Sequence, residues 1–232
     1  MIIGSGQLAK VFDGFVNNET LIFASGVSNS SCINKDQFER EKMLLLKMIE
    51  KHSNKKFVYF SSCALSAPGY PKNAYYNHKK SMERILKDNQ GQYYIFRLPQ
   101  LFGDLINHKT LINYIYNSIL QENAFTVYDH AYRYVIEMND VRDIVNTYLK
   151  YHEAGIVIDL ANPYSYRVLD IVHIFERLLN KKAKYQVIEK NDRYTLDLTQ
   201  MLNFTSKHDL KLEFGSDYLL MKLKEKILSP NG

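Results

Sequence analysis

Cysteine is nearly absent: the 232 residues hold only Cys32 and Cys63, and no CxxC pair occurs. This excludes a disulfide framework. The seven histidines (His52, His78, His108, His130, His152, His173 and His208) include no HxxxH or HxH spacing, which argues against a zinc site, so no metal is expected. Long apolar runs are also lacking, and with them any stretch of the length a membrane-spanning helix needs. The opening MIIGSGQLAKVF has neither a basic leader nor a cleavage-site pattern, so the expectation is a cytoplasmic protein. Basic clusters are missing too: the formal charge of +5 comes from dispersed lysines such as Lys55-Lys56, Lys79-Lys80 and Lys181-Lys182. That excludes a nucleic-acid arm, while a mild positive field suits dianionic small molecules. There are no repeats, low-complexity tracts or linkers. With 46% hydrophobic residues the chain can bury a sizeable core, as one compact unit with a small appended lobe.

What is present centres on residues 57–86, FVYFSSCALSAPGYPKNAYYNHKKSMERIL. An apolar strand (Phe57 to Phe60) runs into Ser61-Ser62, then a loop with Pro68, Gly69 and Pro71, then a helix from Asn73 carrying Tyr75 and Lys79. Tyr and Lys four apart share one helix face. An ammonium beside a phenol favours the phenolate, so a side chain that ordinarily titrates near about 10 can exchange protons closer to neutrality. Ser62 at the strand end can hold the substrate oxygen whose proton Tyr75 handles, a trio suited to alcohol/ketone chemistry. A second YxxxK pair, Tyr76 and Lys80, sits one residue on. Cys63 reads as a small buried strand-end residue rather than a nucleophile.

Around this segment the order is regular. Met1 to Ile3 read as a short strand, followed by Gly4-Ser5-Gly6-Gln7-Leu8-Ala9 and a helix through Phe15; this turn leaves room for a pyrophosphate on the helix N-terminus. Thr20 to Ala24 form a second strand ending in Ser25-Gly26, and Lys35 to Lys51 a long helix. Tyr93 to Leu98 form a strand leading into Pro99-Gln100-Leu101-Phe102-Gly103, and a helix follows over Thr110 to Leu120. Then come Ala124 to Val145, with Asn139 or Asp140 as helix cap, and the strand Ile156 to Leu160. Val168 to Leu179 (helix), Lys184 to Ile188 (strand) and about Ser216 to Leu228 (helix) close the chain.

Taken together, the glycine turn, strand-SS, YxxxK helix and RLPQLFG resemble the extended short-chain dehydrogenase/reductase superfamily, the nucleotide-sugar epimerase/dehydratase branch. The resemblance implies an α/β, Rossmann-like, doubly wound and mostly parallel sheet with a small α/β substrate lobe toward the C-terminal side. It divides the chain into a dinucleotide-binding core, 1–98 and 139–162, and a nucleotide-sugar lobe, 99–138 and 163–232. It implies NAD or NADP as cofactor, held by Gly4, Ser5, Gly6, Gln7, Leu8, Ser25, Gly26, Tyr75, Lys79 and Leu98. Ser62, Tyr75 and Lys79 become the catalytic group, with Glu83 matching the Glu that follows the Lys by four, which favours Tyr75/Lys79 over Tyr76/Lys80. Ser62, Gln100 and Arg133 become substrate contacts, Arg133 through a guanidinium fork on the nucleotide diphosphate; Arg97 reads as structural. The partners implied are a nucleotide sugar and, through the two long helices, a second copy of the chain.

Three departures matter. The strand-helix-strand that normally separates the first helix from the Thr20 strand is missing, so the usual second and third strands are lost, and with them the residue that tells NAD from NADP. Glu41 stands about where family members place an Asn of the proton relay. Cys63 and Ala64 occupy the positions where 4,6-dehydratases carry Asp and Glu, which sets dehydration aside. The function implied is hydride transfer at a ring carbon of a nucleotide-linked sugar, C4 by preference, as 4-ketosugar reductase ahead of 4-epimerase; the alternative is a non-catalytic dinucleotide- or nucleotide-sugar-binding protein of the same fold.

Overall fold

The computed structural model describes residues 1–15, 17–105 and 110–228, so His108 lies outside it. Two units emerge, and elements are numbered in chain order across both. The first comprises Met1–Leu98, Met138–Leu160 and Leu196–Leu210; the second comprises Pro99–Glu137, Ala161–Thr195 and Lys211–Gly232.

In the first unit, β1 (Ile2–Ile3), β2 (Thr20–Phe23), β3 (Lys56–Ser62), β4 (Tyr93–Leu98) and β8 (Ile156–Asp159) form one all-parallel sheet in the order β1-β2-β3-β4-β8. An all-parallel sheet is covered on both faces, which is why TLIF, FVYF and YYIF are continuous apolar runs rather than alternating ones. One face packs Leu21, Phe23, Phe57, Tyr59 and Ile95 against Leu45 and Ile49 of α2 (Lys35–Lys51) and Met82 and Leu86 of α3 (Ala74–Asn89). Each of these helix anchors contributes roughly 1.5–3 kcal/mol by leaving water. On the other face Phe12 meets Phe60, Phe96 meets Tyr148 of α5 (Met138–Tyr151), and Tyr148 stacks on Phe204 of α7 (Thr199–Lys207) at 3.7 Å. Asn34 caps α2 by accepting from the Asp36 and Gln37 amides, and Asn73 caps α3 by accepting from Tyr76 N–H.

Two expectations need correcting. The first helix, α1 (Gln7–Lys10), has four residues and does not reach Phe15: turns follow, Gly14 has φ +85°, and the chain must return at once to β2 because nothing is inserted between them. α5 begins at Met138, so Asn139 and Asp140 lie in its first turn rather than before it.

The second unit has a parallel pair, β5 (Gln100–Phe102) with β7 (Val135–Glu137), and a three-stranded sheet in which β6 (Phe125–Arg133) pairs with β10 (Tyr185–Asp192) in parallel and β9 (Tyr166–Arg167) antiparallel. α4 (Leu111–Leu120), α6 (Val168–Leu179) and α8 (Tyr218–Leu228) supply Ile112, Ile115, Ile171, Phe175, Tyr218 and Leu219 to its core. Asn162, fully buried, accepts from Gly215 N–H at 2.8 Å and donates back to Gly215 carbonyl at 3.0 Å, tying the start of the 161–195 segment to the turn before α8. β10 runs four residues past the expected strand end. No described helix is long and apolar enough to cross a membrane.

Gly4 and Gly6 differ sharply. Gly4 has φ +140°, and a Cβ there would stand 2.4 Å from the Ala24 carbonyl oxygen, whereas a Cβ on Gly6 meets nothing within 4 Å. Gly4→Ala is therefore expected to cost about 2 kcal/mol or more, and Gly6→Ala less than about 0.5 kcal/mol, read by urea denaturation of both variants beside the parent.

Candidate active site

The buried stripe of α3 is Tyr75, Lys79, Met82, Glu83 and Leu86, at the spacing of one helix face. Three polar side chains on an otherwise apolar stripe need partners inside the fold. Glu83 receives a two-pronged ion pair from Arg97, Nε to Oε1 at 2.9 Å and Nη2 to Oε2 at 2.7 Å, while Arg97 Nη1 donates to Ser66 Oγ. Arg97 thus anchors α3 to β4.

Lys79, 3% exposed, donates to Glu41 Oε1 at 3.0 Å, to the Tyr59 hydroxyl at 3.1 Å and to the Phe60 carbonyl at 3.4 Å. Glu41 comes from α2, on the stripe it shares with Leu45 and Ile49. Its fully buried carboxylate also accepts from Tyr59 O–H at 2.7 Å and from Val27 N–H at 2.7 Å, and lies 3.0 Å from His78 Nε2. Burial alone would push this carboxyl up; the Lys79 ammonium, aided by His78, Val27 N–H and Tyr59, outweighs it and holds Glu41 at about 2.

Tyr75 lies in an apolar cluster with Val27 and Cys32, against which Phe38 and Tyr76 pack. The Lys79 ammonium is 5.9 Å from the Tyr75 ring centroid and 5.0 Å from that of Tyr59. The expected lowering of the Tyr75 proton affinity is overturned: burial first, then the Glu41 and Tyr76 charges, push this phenol up. The physical reason is the burial of the phenol beside Val27, Cys32, Phe38 and Tyr76, with the Glu41 carboxylate adding to it.

Ser62 ends β3 half-buried, in register with Leu98 of β4. Cys63 and Ala64 after it are buried; burial, followed by Asp159, pushes the Cys63 thiol well up, an inert sulfur. Gly4 packs on the Ala24-Ser25 backbone at the end of β2, and Gly26 lies against the ion pair: a Cβ on it would stand 2.6 Å from Lys79 Nζ and 3.0 Å from Glu41 Oε1. Ser5 and Gly6 are exposed, Gln7 and Leu8 partly buried.

Gln100 and Arg133 belong to the second unit. Gln100 N–H donates to the Tyr134 carbonyl. The Arg133 fork is engaged: Nη2 reaches Asp192 Oδ2 at 2.6 Å, and Nη1 reaches the Asp192 and Tyr132 carbonyls, clasping β6 to β10. Among the described residues no group of three or more His, Cys, Asp and Glu could hold a metal ion.

No protein-family model and no curated protein matches this sequence. Solved structures do match in fold. A dTDP-glucose 4,6-dehydratase from Bacillus anthracis in complex with NAD is 16% identical, with 97% of this chain and 76% of that one covered at TM-score 0.71. A UDP-glucose 4-epimerase from Bifidobacterium longum in complex with NAD+ and UDP is 18% identical, with coverage of 99% and 84% at TM-score 0.72. RMD from Pseudomonas aeruginosa with NADPH is 15% identical, with 91% and 82% covered at TM-score 0.72. The chain has the α/β, Rossmann-like fold of these nucleotide-sugar enzymes, in a version whose parallel sheet has five strands.

Glu41 falls at the position singled out in the sequence as a departure from the relay Asn, whereas Tyr59 and His78 join it only in three dimensions. One signal was legible: Glu41 interrupts an i, i+4, i+8 stripe that continues with Leu45 and Ile49. The carboxyl falls from an ordinary 4.5 to about 2 on folding. A depressed folded value means the stability it contributes is complete above about 4.5 and is lost as pH falls toward 2. Glu41→Gln is expected to flatten the stability-against-pH slope by close to one proton between pH 2 and 4.5, measured as urea unfolding free energy across that range.

Proposed function

We propose that the chain is an NAD(P)-dependent oxidoreductase acting on a nucleotide-linked sugar, with hydride transfer at C4 of the ring, working as a 4-ketosugar reductase ahead of a 4-epimerase. The observation that carries the reading is the placement of Tyr75 and Lys79 on one buried face of α3, packed on the strand that ends in Ser62, in the fold of solved nucleotide-sugar enzymes.

The space a Gly6 Cβ would take is open, which leaves the backbone there free for close approach by a dinucleotide, the group assigned to Gly4, Ser5, Gly6, Gln7 and Leu8. Ser25, Gly26 and Leu98 are assigned to the walls of that site. Lys79 would reach a ribose hydroxyl by giving up its longest contact, the Phe60 carbonyl. The bound nicotinamide supplies or accepts the hydride; the protein orients and tunes. Tyr75 passes the hydroxyl proton, and Ser62 holds the oxygen. Gln100 and Arg133 are assigned to the nucleotide, where a diphosphate would compete with Asp192 for the Arg133 fork.

The test is titration of the purified protein with NAD, NADH, NADP and NADPH, followed by thermal shift and nicotinamide fluorescence, then turnover with nucleotide 4-ketosugars. Micromolar binding of one dinucleotide with ketosugar-dependent oxidation of its reduced form supports the proposal. Tyr75→Phe should then lower turnover by about 10²-fold or more with folding intact, and Gly6→Ala should weaken dinucleotide binding about tenfold, or about 1.4 kcal/mol. A second reading, a non-catalytic binding protein, draws on the four-residue α1 and the shortened sheet. Binding without turnover of any nucleotide sugar would favour it.

A further inference from the structure

Lys79 has three N–H groups, and three acceptors surround it: Glu41 Oε1, the Tyr59 hydroxyl and the Phe60 carbonyl. Gly26 closes another side, where even a methyl group would stand 2.6 Å from Nζ. An ammonium 3.0 Å from a buried carboxylate presents its surroundings with a dipole rather than a net charge.

We infer that Glu41 is the positioning residue of this site: its carboxylate matches the charge of the Lys79 ammonium and, with the Tyr59 hydroxyl and the Phe60 carbonyl, occupies its hydrogen bonds, so that the ammonium does not acidify the Tyr75 phenol. The groups facing Tyr75 support this balance. Lys79 and Tyr76 come from α3, Glu41 from α2, Tyr59 from β3, and Cys32 from the segment before α2. Of these, Lys79 is the cation and Glu41 the carboxylate, bonded to each other, and His78 of α3 lies 3.0 Å from the other oxygen of that carboxylate.

The charge balance does not rest on the function proposed above; its bearing on a reaction does. In a reduction, a ketone oxygen would take the Tyr75 hydroxyl proton as its carbon received a hydride from the dinucleotide, and the phenolate would recover a proton from solvent; the reverse reaction would return the same proton to Tyr75.

The experiment is tyrosinate absorbance of the full chain without added nucleotide, as a difference between each protein and its Tyr75→Phe counterpart, through the alkaline range around the ordinary tyrosine midpoint of about 10. The wild type should show no Tyr75 phenolate at that midpoint. Glu41→Gln leaves the ammonium unmatched and should raise the Tyr75 phenolate at least about tenfold at equal pH, a shift of about one unit or more. Glu41→Gln/Lys79→Met, neutral at both positions, should return close to the wild type, and circular dichroism checks each fold. A wild-type Tyr75 already ionised near its ordinary midpoint overturns the inference, and so does a double variant that keeps the gain of the single one. Should Glu41→Gln not fold, those two arms still decide, and an unchanged folded Glu41→Gln overturns it as well. Turnover by a protein whose Tyr75 is ionised would sink this inference alone; the expected titration without turnover of any nucleotide sugar would sink the proposed function alone.

Discussion

The Glu41 carboxylate is the contact on which the first unit depends. Its four partners come from three separate places, Val27 just past β2, Tyr59 within β3, and His78 and Lys79 on α3, while Glu41 itself is on α2. Moving an ion of this size out of water costs several kcal/mol, and one unmatched ion inside a core costs about 3–5 kcal/mol relative to the pair. The pair adds less to net stability than it does to uniqueness. A slip of α3 by one residue would send Lys79 away from the carboxylate and leave Glu41 buried without its counter-ion. The Arg97–Glu83 fork repeats the device one turn further along the helix.

The five-stranded sheet places its own demands at its edge. β1 has two residues and pairs only with β2 among the described residues, so it is an edge strand. Its hold is extended by backbone: Met1 ammonium to the Thr20 carbonyl, and Ala24 N–H to the Ile3 carbonyl. Gly4 then crosses so close to Ala24 that a side chain has no room. The glycine turn is thus fixed by packing at Gly4 and left open at Gly6.

Those demands explain which parts were legible in the sequence. TLIF, FVYF and YYIF announce a sheet covered on both faces, and their spacing with the helix carrying Tyr75 gives the order of elements, because strand order and crossover handedness follow from local pattern. The stopping of α1 after Lys10 was not legible, since Val11, Phe12 and Phe15 continue an apolar period; the turn is imposed by the short path back to Thr20. Nor was the attachment of α7, whose Phe204 stacks on Tyr148 across a long sequence separation. Tyr59 reads as one more apolar strand residue, and its hydroxyl acquires meaning only when α2 brings a carboxylate to it. Glu41 fails as a pattern for a similar reason: helical periodicity says which face it occupies, not that four donors converge there.

Stability and chemistry meet at that carboxylate and ask for different things. A catalytic tyrosine gains acidity from a free cation beside it, whereas a buried cation without a counter-ion destabilises the fold. In the arrangement found here the counter-ion is Glu41, and the same negative charge that fixes Lys79 is felt by Tyr75 as a further reason to stay protonated. An Asn at that position would supply hydrogen bonds without charge and leave the ammonium free to act on the phenol. The exchange of a side-chain amide for a longer carboxylate at this position of α2 therefore replaces a free ammonium beside Tyr75 by a neutral ion pair, and the phenol keeps its proton more tightly.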